Sequence, residues 1–197
     1  MTRALTLDDI SDLRAYERER EEFRERVIAL KRRRRIGLGP HVTLVFENRE
    51  TVRFQIQEMA RVEKLISDEA IESELRAYNP LIPERGMLSA TLFVELTSDA
   101  LLREWLPKLV GIERSVLIDV GGGGPPVRCN IDPAHEAQLT RDDITASVHY
   151  INWTFSPADV EAFSTGAPAL ICDHPDYPHV THFTPENQAE LLTDLRG

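Results

Sequence analysis

A chain of 197 residues, 42% hydrophobic, can bury one proper core and is sized for one domain with a helical appendage. Its formal charge of −10 argues against binding nucleic acid or membrane over the whole surface. No apolar run is long enough to span a bilayer, and the first residues lack the apolar heart of an export signal, so a cytoplasmic protein is expected. Cys129 and Cys172 stand outside any CxxC pattern and read as reduced thiols.

Thr6 and Asp9 form a capping-box pattern, and a long helix is expected from about 7 to 35. Ile10, Leu13, Tyr16, Phe23, Val27 and Leu30 keep one narrow apolar stripe on it. Between Arg14 and Arg35 there are ten basic and five acidic residues, so the remainder is strongly acidic. This arm should be exposed over most of its girth, lying across the domain or joining two copies as a homodimer. It ends in Lys31, Arg32, Arg33, Arg34 and Arg35. The run could hold an anion or nucleic acid. The preferred reading is a solvated helix end whose cations complement the helix dipole, because no aromatic residue is interleaved.

The stretch from 41 to 66 is the longest one dense in apolar residues. Residues 42–46 read as a buried strand, and Asn48 reads as a helix cap. Val52, Ile56, Met59 and Ile66 then share one helical face. A hairpin over 42–57 competes, since Val52, Phe54 and Ile56 alternate with Arg53, Gln55 and Gln57. The helix is preferred because no turn residue separates this segment from the helical pattern after Glu58. Glu47, Arg49, Gln55, Gln57 and Glu58 are the unusual feature. Polar groups in an apolar matrix must face one another or a guest. They can line a pocket in which Arg49 neutralises a carboxylate, or form a buried network that fixes helix against sheet, the reading favoured.

Further helices are expected over 68–78, 99–110, 157–165 and 185–195, with one turn near 133–138. Strands are expected near 88–96, 115–120, 127–131, 147–155 and 168–172. The run GGGGPP at 121–126 lacks a following Lys-Ser/Thr and reads as a hairpin-like connection, not a phosphate cradle. The expected fold is α+β: a small antiparallel sheet of about five strands covered by helices, with a long charged N-terminal helix. The core spans 41–177, and 178–197 is a tail and helix.

Four segments carry a family resemblance: TLVFENRETVRFQIQEM at 43–59, ELRAYNPLIP at 74–83, LVGIE at 109–113 and SVHY at 147–150. Together they resemble a bacterial family known as domain of unknown function 3501. The resemblance implies no established activity. Members are often encoded beside rubrerythrin-like and iron–sulfur proteins, which implies redox or stress-response company and redox or iron–sulfur partners.

Two places could carry chemistry. His149 shares a strand face with Ile151, Trp153 and Phe155. It must be hydrogen-bonded or ligated there, and a satisfied imidazole is the preferred reading. The segment CDHPDYPHVTH at 172–182 gathers Cys172, Asp173, His174, Asp176, His179 and His182 in what its prolines mark as a loop. Its Asp173 and His174 fall in the part that resembles the family. The hypothesis is that Glu58, His149 and His174, with Asp173, converge on a pocket able to hold zinc or iron. No hydrolase elbow, Walker motif, dinucleotide fingerprint or HExxH motif is present. The expected function is therefore an accessory or binding protein of a redox or stress-response system. The alternatives are an enzyme dependent on a metal or a His–carboxylate pair, and an anion or nucleic-acid binder.

Overall fold

The stretch at 41–66 folds as a strand followed by a helix, and the rest of the chain is arranged on its two sides. A computed structural model describes residues 4–131 and 144–197; the turn expected near 133–138 lies outside them. In chain order the elements are α1 (Leu13–Arg34), β1 (Arg35–Leu38), β2 (Val42–Glu47), α2 (Arg49–Glu63), α3 (Asp68–Tyr78), β3 (Met87–Val94) and α4 (Asp99–Lys108). Then come β4 (Val116–Asp119), β5 (Val127–Arg128), β6 (Asn130–Ile131), β7 (Val148–Thr154), α5 (Pro157–Thr165), β8 (Ala169–His174), β9 (Tyr177–His182) and α6 (Pro185–Arg196). Among the described residues no helix is long and apolar enough to cross a membrane.

The fold is α+β, with two antiparallel sheets where one was expected. One sheet runs β1-β2-β3-β7-β6 and the other β5-β4-β8-β9. Val42, Leu44 and Phe46, Leu88 to Val94 on alternate positions, and Ile151 and Trp153 line one face of the first sheet. They share a core with Val116, Ile118, Leu170, Cys172 and Tyr177 of the second. Leu191 and Leu195 of α6 close that core.

The other face of the first sheet is unusually polar. It presents Glu47, Ser89, Thr91, Tyr150 and Asn152 beside Val45, Phe93 and Val148. Val52, Ile56 and Leu75 join Leu5, Leu81 and Ile82 in a second, smaller cluster against which Tyr150 packs.

Three expectations are corrected. The first helix starts at Leu13, capped by the Asp12 carboxylate, and not at 7. The capping box of Thr6 and Asp9 closes only one short turn, 7–9. Arg35, expected in the last turn of the first helix, instead opens an edge strand, 35–38, because pairing with β2 satisfies its backbone groups. Residues 177–182 form a strand and not a loop, since Pro178 sits on an edge strand where its missing N–H is tolerated. The helix reading of 50–63 is observed, and Asn48 caps it by accepting from the Thr51 amide at 3.0 Å.

Helix α1 is anchored along its length. Tyr16, Phe23 and Val27 are buried with Phe54 of α2 packed against them. The Phe23 ring meets those of Tyr16 and Phe54 edge-on at 6.4 and 5.6 Å. At its end Arg34 is fully buried. Its guanidinium donates to the Phe46 and Glu47 carbonyls at 2.8 and 3.1 Å. It also pairs with Glu190 at 2.9 Å and with Asp194.

The two sheets are tied at one end by Tyr177. Its hydroxyl donates to the Leu38 carbonyl at 2.8 Å and accepts from the His41 and Val42 amides at 2.8 and 3.2 Å. Gly39 turns beneath it at φ +70°, where a Cβ would lie 2.6 Å from that hydroxyl. Glycine is therefore required on both backbone and steric grounds.

Candidate functional site

The polar residues of 47–58 mostly meet the chain's own N-terminal segment and first helix. Gln57, fully buried, accepts from the Ser11 amide at 2.7 Å and donates to the Ser11 carbonyl at 3.2 Å. Asn79 grips Leu5 in the same two-way manner at 2.8 and 2.9 Å. Arg49 donates to Asp9 at 2.6 Å. Glu58 accepts both a fork from Arg20, at 2.8 and 2.9 Å, and the Tyr16 hydroxyl at 2.7 Å. The Arg20 hydrogen bonds hold the Glu58 carboxyl down at about 2; burial opposes them, and the Tyr16 bond helps.

His149 and His174 are each satisfied elsewhere. His149 is buried on the core face, with Nε2 at 2.9 Å from Thr145 Oγ1 and 3.0 Å from the Ala146 carbonyl. His174 uses both ring nitrogens. Nε2 lies 3.0 Å from the Val110 carbonyl, and Nδ1 accepts from the Asp176 amide at 3.2 Å. That pattern places the proton on Nε2 and leaves neither nitrogen open. Asp173 pairs with Arg128, whose hydrogen bonds hold its carboxyl below the usual range. Among the described residues no group of three or more His, Cys, Asp or Glu side chains is placed to hold a metal ion, so Glu58, His149 and His174 do not meet as a ligand set.

The basic run is also largely spent inside the chain. Arg33 and Arg34 pair with Glu190, Arg34 with Asp194, and Arg35 with Glu95. Lys31 and the exposed Arg32 have no such partner among the described residues.

One member of the predicted polar set, Glu47, faces a different setting. It ends β2 on the polar face of the sheet and is 8% exposed. One carboxylate oxygen accepts from Thr91 at 2.7 Å and the other from Thr51 at 2.5 Å. Among the described residues no cation pairs with it. It lines a cleft of about 270 Å³ with Lys31, Gln55, Tyr78, Thr91 and Tyr150 as the other polar residues. Val52, Leu81, Phe93 and Val148 supply the apolar wall.

Strand register explains the grouping. Thr91 stands opposite both Val45 on β2 and Tyr150 on β7, and Glu47 is one same-face step from Val45. Burial raises the Tyr150 phenol above its ordinary value, and nearby Tyr78 and Glu47 add to the shift. Tyr150 therefore stays protonated at neutral pH and can donate. The cleft presents one buried carboxylate, two phenols, a carboxamide and an amine around a small apolar pocket.

Comparison with known proteins identifies the chain by family. The model of a protein family described as protein of unknown function (DUF3501) matches residues 4–195. The chain belongs to the DUF3501 family. No curated protein matches it. A solved structure similar to it is a protein of unknown function from Burkholderia pseudomallei, 35% identical over 98% of this chain and 99% of that one, with a TM-score of 0.89.

The DUF3501 segments read from the sequence meet at the cleft. All of its lining residues except Lys31, Thr91 and Phe93 lie within 43–59, 74–83 or 147–150. The sequence pattern groups Glu47 with Gln55 in one polar set, places Lys31 apart from them in the basic run, and does not mark Tyr78, Thr91 or Tyr150. Alternation along 147–155 gave the available signal, because it puts Tyr150 on the face opposite His149.

Proposed function

We propose that this chain is a cytoplasmic, non-catalytic binding protein whose cleft takes a small ligand carrying an ammonium or guanidinium group against Glu47. The observation that carries this reading is a carboxylate kept from water without a cationic partner. Removing a carboxylate from water costs several kcal/mol. Hydrogen bonds from Thr51 and Thr91 offset part of that. A ligand cation would supply the missing charge, and the faces of Tyr78 and Tyr150 suit a cation as well. The volume falls below the roughly 300–1,000 Å³ usual for drug-sized ligands, so the guest is small.

This gives the accessory-protein reading a site. Its redox part rests on the family resemblance alone. Cys129 is buried and pushed up to about 11, and burial raises Cys172 as well, so neither thiol supports disulfide exchange. An enzyme built on Glu58, His149 and His174 is the weaker reading, because separate neighbours satisfy each of the three.

The test is an NMR titration of labelled protein with small alkylamines and guanidines. Amide shifts confined to the ends of β2, β3 and β7, and lost in Glu47→Gln, support the proposal. Shifts that are absent at millimolar amine, or unchanged in that variant, refute it.

A further inference from the structure

The cleft is lined by two residues of opposite charge that form no ion pair with each other. Lys31, in the last turn of α1, and Glu47, at the end of β2, line the same space, yet no ion pair within 4.0 Å joins them. Neither has another charged partner among the described residues. Of the basic run, Arg33, Arg34 and Arg35 are committed to acids, while Lys31 and the exposed Arg32 are not, and of those two only Lys31 lines the cleft. Two unpaired charges of opposite sign facing a small apolar pocket form a receptor for a guest with the reverse arrangement.

Resting on the binding function proposed above, we infer that the ligand is a small zwitterion of the α-amino acid class. Its ammonium donates to Glu47, its carboxylate accepts from Lys31, and its side chain lies against Val52, Leu81, Phe93 and Val148. The phenols of Tyr78 and Tyr150 donate to the ligand carboxylate or accept from its ammonium. A bound zwitterion satisfies both protein charges and adds no net charge to the site. A simple amine leaves Lys31 uncompensated, and a simple acid leaves Glu47 uncompensated. The pocket is too small for a nucleotide or a long acyl chain.

Calorimetry with three matched probes tests this: valine, isobutylamine (valine without its carboxylate) and isovalerate (valine without its ammonium). Wild-type protein should bind valine at least about ten-fold more tightly than isobutylamine, a gap of about 1.4 kcal/mol. Isovalerate should bind weakest. In Lys31→Met the preference for valine over the amine should vanish while the amine still binds. Lys31 makes no ion pair, so this variant should fold, and its thermal midpoint verifies that. Equal affinity for valine and isobutylamine in wild type overturns the zwitterion inference and leaves the cation-binding function standing. A preference for valine that persists in Lys31→Met overturns the role of Lys31. Binding of neither amine nor valine removes both readings.

Discussion

Arg34 and Asp194, 160 positions apart in the chain, form an ion pair in which the guanidinium is wholly buried. Glu190 takes a second nitrogen, and two backbone carbonyls of β2 and its end take the rest. Removing one partner of a buried pair costs about 3–5 kcal/mol, because the remaining charge is left without compensation. Arg34→Met should therefore lower the unfolding free energy by that amount in urea titration. Arg32→Met, an exposed neighbour, should change it by less than about 0.5 kcal/mol. Equal effects would contradict the buried clamp.

Glu58 gives the molecule an acid sensitivity. Its folded-state value of about 2 lies below the ordinary 4.5. A depressed carboxyl stabilises the fold above its unfolded value and loses that contribution as pH falls. Stability should thus decline between about pH 4.5 and 2, by on the order of 3 kcal/mol from this group. Arg20→Ala should flatten that decline, and urea midpoints across the pH range measure it.

Tyr177 and Gly39 predict a local weakness. Tyr177→Phe removes the donor to Leu38 and the acceptor for the two amides at 41–42, at a cost of about 1–3 kcal/mol. Hydrogen exchange should accelerate first at those amides. Gly39→Ala forces a side chain into φ +70° and into the Tyr177 hydroxyl, so it should destabilise to a similar degree.

The two thiols should be silent in the folded state. Burial raises both Cys129 and Cys172, which depletes the reactive thiolate. A thiol reagent at pH 8 should label neither in native protein and both in urea. Rapid native labelling of Cys129 would show that its cover opens.

Local signals were the readable ones. Asn48 caps its helix as expected, and the helices expected to start at 68, 99, 157 and 185 do so under the side chains of Ser67, Ser98, Ser156 and Thr184, because a cap is decided within four residues. The strand at 35–38 was not readable, because it follows a helix without a break and exists through its pairing with β2. Pro178 hid β9 for a related reason: only the tertiary structure makes it an edge strand. For the site, the excess polarity of 47–58 was a sound signal, yet Gln57, Arg49 and Glu58 serve the chain's own N-terminal segment and first helix. Only Glu47 and the exposed Gln55 reach the cleft. Tyr78, Thr91 and Tyr150 come from three distant elements, so no spacing rule along the chain could have assembled them.

The last helix supplies two leucines to the main core and both acids that hold Arg34. During synthesis Arg34 therefore lacks both of its acids until residues 185–196 have left the ribosome. Such long-range closure slows folding and exposes apolar surface in the interim. A premature stop near residue 185 would leave the chain in that waiting state permanently, a substrate for proteases and not a shortened working protein.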